Sequence, residues 1–306
     1  MPKAIAIQQF GGPDVLGLID VPEPVPGPGQ VTVRVRAVGV NGFDCRVRSG
    51  GMRGRYPVEF PQIIGNEFAG VVERTGPEVT GFAPGDEVLG FAVMQSGAEL
   101  LAVGADQITA KPAELSWEVA GSLSAVGQTA DIALAELRVG QGDTVLVHAA
   151  AGGVGSLAVQ LVKERGGTAI GSAGEHNHEF LRSLGALPVA YGPGFADRVR
   201  ALAPDGVDAA LDCHGGPEAL AVSLELVADR SRIATIANFR AAAQEGIVMP
   251  QVVRSAERLA ALAALCAEGR LRPHVEAVLP FAKAAEAHHR LEQGHVRGKL
   301  VLVPDL

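Results

Sequence analysis

Residues 31–40, VTVRVRAVGV, alternate apolar and polar positions, the period-2 pattern of a strand with one face buried. The preceding VPEPVPGPGQ is a Pro/Gly loop that cannot join the centre of a sheet, because proline supplies no ladder donor. FAGVVERTG (68–76), GDEVLGF (85–91) and ELLAV (99–103) follow as short strands separated by turn residues. The first third of the chain therefore predicts a small irregular β-barrel.

From residue 116 onward the period lengthens. SWEVAGSLSAVGQTADIALAEL (116–137) opens with Ser116 at an N-cap position and continues as one helical run. Strand and helix patterns then alternate: TVLVHA with GSLAVQLVKERG, TAIGS with EHNHEFLRSLG, VDAALDC with PEALAVSLELV, and finally RIATIA. Strands separated by helices of that length imply βαβ units and a parallel sheet. EGIVMP (245–250) reads as a short apolar edge strand, and SAERLAALAALCAEG (255–269) as a helix ended by Gly269. The closing GKLVLV needs a partner strand, and the N-terminal β region is the expected one. These patterns predict a β domain over 1–118, an α/β domain over 119–250, and a return to the first domain over 251–306.

The length of 306 residues fits two domains, and 47% hydrophobic residues are enough for both cores. A formal charge of −8 argues against a nucleic-acid or anionic-membrane surface. Three cysteines without a CxxC spacing fit a reducing, cytoplasmic setting. The N-terminus has no apolar signal core. The uncharged run 144–162 is broken by Gly152, Gly153 and Gly155, so a strand followed by a helix explains it better than a membrane span.

The glycines of AAAGGVG (149–155) stand where a strand passes into a helix. Amides at such a helix start point at an anion, and glycine lets a pyrophosphate approach the backbone. Gly152, Gly153 and Val154 are the candidate contacts. Ala150 occupies the first glycine position of G-x-G-x-x-G, so a turn built only for helix–strand packing stays open. No Gly-Lys-Ser/Thr follows, which excludes a Walker loop. His176 and His178 fall where a dinucleotide's adenosine end should lie, and the pair His288–His289 does not converge on one ion, since adjacent helical residues diverge by about 100°. No metal site is expected.

GNEFAGVVERTG (65–76), GDEVLGF (85–91), GQTADIAL (127–134), AAAGGVG (149–155), RSLGA (182–186), DGVDAALDCHGG (205–216) and RGKLVL (297–302) occur in an order that resembles one family. It is the medium-chain dehydrogenase/reductase superfamily, in its zinc-independent quinone oxidoreductase, zeta-crystallin-like branch. The resemblance covers essentially the whole chain. It implies a GroES-like irregular β-barrel domain plus an α/β Rossmann domain, a parallel sheet with helices on both faces, with the active site in the cleft between them. It also implies reduction of quinones or α,β-unsaturated carbonyl compounds by hydride transfer from NADPH, with NADH possible. In the zinc branch a Cys follows the third strand and a His precedes the Glu of G-H-E. Here those positions hold Asn41 and Asn66, and amides are poor zinc ligands. Cys45 reads as a packed thiol.

Asn41 is the candidate catalytic group beside the nicotinamide and the acceptor, with a plain turn residue as the alternative. Thr129 resembles the family's cofactor-facing Thr, next to an unusual Gln128. His214 and Gly215, at a strand's carboxyl end, and Ile236, Asn238 and Phe239, after the next strand, are candidate nicotinamide contacts. Lys299 resembles the family's Gly-Lys near the cleft, with a solvated lysine as the alternative. Ser172 ends the second strand where NAD-preferring sites carry Asp or Glu, which favours NADPH. Tyr191 matches a family aromatic near the adenosine, and His176 or Asn177 could donate there, whereas Glu175 turned inward would favour NADH. A homodimer is expected through the apolar edge at 245–250. The alternatives to the reductase are an alcohol dehydrogenase and a cofactor-binding protein without turnover.

Overall fold

Strand Gln30–Gly39 is the longest strand of the protein and the axis of its first unit. It pairs antiparallel with Glu67–Thr75 on one side, and with Leu100–Gly104 and then Lys299–Val303 on the other. The computed structural model describes residues 1–304. Within it the first unit comprises Met1–Ala125, Arg254–Ala267 and the chain from Val275 onward. Seven strands form its main sheet and three more a small second sheet, giving a GroES-like β domain. The closing strand meets the N-terminal region as its pattern requires, with Leu302 opposite Val38, and it also pairs parallel with Val275–Pro280.

The alternating pattern of 31–40 understates its burial. Only Arg34 and Arg36 are exposed, and even Thr32 is fully buried. Near the end of the strand the helix Trp117–Gly121 crosses closely enough that a Cβ on Gly121 would lie 2.7 Å from that of Ala37. Ser116 caps this helix, accepting from the Val119 amide at 3.3 Å. The single run expected over 116–137 is two helices, Trp117–Gly121 and Ser124–Glu136. Gly121 is held against the strand at the break, and the Ser122 hydroxyl donates back to Val119 O at 3.2 Å, a local bond that competes with helix continuation.

The second unit comprises Val126–Val253 with Glu268–His274. Its strands are β1 (Thr144–His148), β2 (Thr168–Ser172), β3 (Leu187–Val189), β4 (Ala209–Asp212) and β5 (Ile233–Thr235). They lie in the order β3-β2-β1-β4-β5 and all run parallel, with helices on both faces, as in a Rossmann domain. The helices that concern the site are α1 (Gly153–Glu164), α2 (His178–Ser183), α3 (Phe195–Leu202), α4 (Pro217–Leu226) and α5 (Phe239–Glu245). Leu146, Ile170, Val199, Ala210 and Ile233 form a dry core. Each large aliphatic there contributes roughly 1.5–3 kcal/mol by leaving water. The segment at 268–274 is tied to α1 by Gln160, whose amide accepts from Arg272 N at 2.8 Å and donates to Arg272 O at 3.2 Å. The edge strand expected at 245–250 is reduced to one bridge, Val248 beside Ala234. Among the described residues no helix is long and apolar enough to cross a membrane.

Candidate active site

The loop after β1 begins with Ala149 in the left-handed region at φ 51. Gly152 N donates to Ala149 O at 3.0 Å, closing the turn, and Ser156 N donates to Gly152 O at 2.9 Å as the first bond of α1. No side chain caps this helix. The amides of Gly153, Val154 and Gly155 therefore have no acceptor within the helix, and they carry its positive dipole end. A Cβ on Gly155 would stand 2.4 Å from Ala149 O, so glycine is required for the close turn. Ala150 is accommodated at the first glycine position because Gly171 lies opposite, where any Cβ would come within 2.8 Å of the Ala150 methyl. These features fit a dinucleotide's pyrophosphate.

The central strands end in buried polar side chains: His148, Ser172, Asp212 and Thr235. Asp212 accepts from the amides of His214 and Gly215, both at 2.8 Å, and from the Thr235 hydroxyl at 2.8 Å. Thr235 Oγ1 in turn accepts from Asn238 N at 3.1 Å. The Asn238 amide donates to Gly215 O at 3.1 Å, while its oxygen caps α5 by accepting from Ala241 N. Asn238 thus latches the loops after β4 and β5 together. Beside them Ile236 and Phe239 are half-buried, His214 is exposed, and Thr129 is half-buried on Ser124–Glu136 with Gln128 fully buried.

Ser172 is turned inward. The Ser223 hydroxyl donates to Ala219 O at 2.8 Å, so it accepts the Nε2 proton of His148 at 2.9 Å. His148 Nδ1 is then the acceptor for Ser172 Oγ at 3.4 Å. With 3% exposure and its proton directed at His148, Ser172 offers no donor outward. Burial holds the His148 imidazole down at about 4, with His214 lowering and Asp212 opposing the shift. Beyond β2 the outward-facing groups are Glu175 and His176, with Tyr191 (55% exposed) after β3.

The first unit holds a second polar cluster. Lys299 Nζ donates to Val40 O and Asn41 Oδ1, each at 2.7 Å, and to Glu67 Oε1 at 2.9 Å. It is 4% exposed, which removes the solvated-lysine alternative, and its three protons are all engaged. The Asn41 amide donates to Gly39 O at 3.1 Å and to Glu67 Oε1 at 3.0 Å. Glu67 Oε2 accepts from Ala125 N at 2.6 Å. A Cβ on Gly39 would lie 2.4 Å from Glu67 Oε1, so the strand must end in glycine here. Asn41 also begins the helix Gly42–Ser49, its own amide donating to Asp44 Oδ2 at 2.9 Å. The sequence reading named Asn41 and Lys299 separately. The structure joins them through Glu67, which that reading passed over. Asp44 was passed over too, although its place three residues after Asn41 is a capping-box signal. Asn66 donates to Asp44 Oδ1 at 2.5 Å, and burial, opposed by those hydrogen bonds and Lys299, raises the Asp44 carboxyl to about 7.

These residues do not fit a catalytic zinc. The two expected ligand positions hold amides, and an ammonium engages both Asn41 and Glu67, where it would repel a dication. Among the described residues no group of three or more His, Cys, Asp or Glu could hold a metal. His288 faces Cys45 Sγ at 3.4 Å, while its neighbour His289 pairs with Asp14 at 3.1 Å on the surface.

Residues 27–101 match the family described as Alcohol dehydrogenase GroES-like domain, and residues 184–302 the one described as Zinc-binding dehydrogenase. The quinone oxidoreductase of Pseudomonas aeruginosa is 32% identical, over 99% of this chain and 100% of its own length. The solved quinone oxidoreductase of Coxiella burnetii aligns at TM-score 0.85 and 34% identity, covering 99% of both chains. A mycobacterial protein solved in complex with NADPH aligns at TM-score 0.88 and 32% identity, covering 99% of this chain and 100% of that one.

Proposed function

The chain belongs to the medium-chain dehydrogenase/reductase superfamily, in its quinone oxidoreductase branch, and from that premise we propose a zinc-independent, NADPH-dependent reductase of quinones or α,β-unsaturated carbonyl compounds. Bound NADPH supplies the hydride. The amides of Gly153, Val154 and Gly155 hold its pyrophosphate. The loops after β4 and β5, fixed by Asp212, Thr235 and Asn238, line the place of the nicotinamide half, with Thr129 facing the cofactor. NADPH, rather than NADH, is favoured because no carboxylate ends β2 and because a similar mycobacterial protein was solved with NADPH.

The observation that carries the choice of acceptor is the Asn41–Glu67–Lys299 cluster. It provides no Lewis acid to polarise an unactivated carbonyl, which favours an acceptor that is already electron-poor. Quinones and enones meet that condition. Asn41 is assigned beside the acceptor as a positioning residue, because both of its amide protons are bound, to Gly39 O and Glu67 Oε1. The free cysteines Cys45, Cys213 and Cys266 are in keeping with a reducing cytoplasm.

The test is oxidation of NADPH and NADH by a panel of quinones and enones, alongside metal analysis of the purified protein. The expected result is turnover with higher kcat/KM for NADPH, no stoichiometric zinc, and activity unaffected by chelators. One tightly bound zinc per chain, or turnover confined to alcohols, would replace this reading. Nucleotide binding without turnover on any acceptor would point to a binding protein instead.

A further inference from the structure

The chain running into the helix Ala256–Ala267 turns one charged side chain inward. Gln251, Val252, Val253 and Ser255 are exposed, whereas Arg254 is half-buried. A guanidinium ordinarily stays in water unless a partner draws it in. Arg254 Nη1 donates to Asn66 O at 3.2 Å. Burial pulls the guanidinium below its ordinary value, and the charges of Glu67 and Asp44 oppose that shift. Among the described residues, however, no carboxylate comes within ion-pair distance of Arg254, and Asn66 O is its one hydrogen-bond acceptor. Arg254 thus lies beside two buried carboxyl groups without pairing with either, and most of its N–H groups remain available.

The same Asn66 ties Arg254 to the cluster around Asn41. Asn66 Nδ2 donates to Asp44 Oδ1 at 2.5 Å, and Asp44 Oδ2 accepts from the Asn41 amide at 2.9 Å. A run of hydrogen bonds therefore leads from Arg254 to the residue assigned beside the acceptor. Around Asn41 the donors are spent. Lys299 gives its protons to Val40, Asn41 and Glu67, and Asn41 gives both amide protons to Gly39 and Glu67. Asn66 is 1% exposed. Within this set Arg254 is the cation with donors to spare.

Resting on the reductase reading above, we propose that Arg254 is the catalytic donor to the acceptor's carbonyl oxygen, filling the electrophilic role that a metal would otherwise take. When an enone or a quinone takes hydride from NADPH at a carbon conjugated with its carbonyl, NADP+ is left, and the displaced electron pair ends as negative charge on the carbonyl oxygen. Water then supplies the proton. A positioned guanidinium stabilises that charged oxygen more than the neutral carbonyl before it, and the difference lowers the barrier. The bond to Asn66 O limits rotation of the fork. An enone accepts electrons less readily than a quinone, so its reduction depends more on this donor.

The test is steady-state kinetics of Arg254→Ala with cyclohexenone and with benzoquinone, alongside NADPH binding by fluorescence and a urea titration. With cyclohexenone kcat should fall about a hundredfold, the size of one oxyanion donor removed, while KM changes much less. With benzoquinone the loss should be smaller. NADPH affinity and the urea midpoint should stay close to wild type. Guanidinium at millimolar concentration should return part of the lost rate to Arg254→Ala and add none to the wild type. Arg254→Lys, which keeps the charge and loses the fork, should fall between the two. An unchanged kcat in Arg254→Ala, or an equal loss with both acceptors that guanidinium does not rescue, overturns the role of Arg254 alone. Weaker NADPH binding and a lower urea midpoint without rescue would make Arg254 structural and overturn it as well. A wild-type protein that binds NADPH and reduces neither acceptor overturns the reductase reading, and this inference with it.

Discussion

Lys299 donates to three acceptors at once, so its loss strands a buried carboxylate as well as removing a cation. Lys299→Met should destabilise the protein by about 3–5 kcal/mol, the usual cost of leaving one member of a buried ion pair alone. A urea titration measures it, and a loss under about 1 kcal/mol, as for an exposed pair, would mean that Glu67 is not charged there. Asn41 is bound into the same cluster. A catalytic group held by nothing else would lose turnover on Asn41→Ala and spare stability. The bonds to Gly39, Glu67 and Lys299 change that: stability should fall by about 1–3 kcal/mol together with a tenfold to hundredfold loss in kcat. Equal loss of both, with rescue of neither by Asn41→Ser, is the expected pattern. Glu67 lies between these two residues, yet nothing in its neighbourhood of the sequence marks it as their partner. Its partners are 26 and 232 residues away, and only folding brings them within reach.

Between β1 and β2 the degraded glycine motif becomes intelligible. Ala150 stands where the pattern asks for glycine, and the missing space is supplied across the sheet by Gly171. Gly171→Ala should cost about 1–3 kcal/mol by overpacking, and adding Ala150→Gly should return most of it. Additive losses in denaturant would deny the compensation. The sequence made the strand, the turn and the helix legible because each repeats a local period. It did not show the exchange of one methyl group between two strands, nor the break in the helix at Ser122, since both depend on what packs opposite. The edge beyond β5 was legible as apolar. With only Val248 bridged and Val253 75% exposed, we propose that a second copy covers it. Light scattering at micromolar concentration should find a dimer, and Val253→Asp should weaken it.

For the molecule as a whole, buried titrating groups set the pH dependence of stability. His148 and His288 are held neutral, at about 4 and about 3, chiefly by burial. Unfolded imidazoles take a proton near 6.5, so unfolding takes up protons below that pH and stability falls from about pH 6.5 toward pH 4. Asp44 works in the opposite sense. Raised to about 7, it keeps a proton in the folded state that the unfolded chain has lost above its ordinary carboxylate range, so its contribution falls as the pH rises toward 7. Two imidazoles against one carboxyl leave a net loss toward acid of up to about 1.4 kcal/mol per pH unit. Tm should therefore drop between about pH 6.5 and pH 4, and His288→Gln should flatten the decline. A Tm that holds or rises over that interval would contradict the burial of these rings.

The first unit is assembled from three stretches of chain, and its central strand is completed by the last one. That has a consequence for synthesis on the ribosome. The β region emerges first, yet Glu67 lacks the Lys299 ammonium, and strand Gln30–Gly39 lacks its second neighbour at Val38 and Gly39, until Lys299–Val303 has left the exit tunnel. The unit translated in the middle has all its strands by Thr235 and its last segment by His274. The usual N-terminal-first order is thereby inverted. Stalled nascent chains ending before residue 299 should carry a protease-resistant middle and a protease-sensitive beginning.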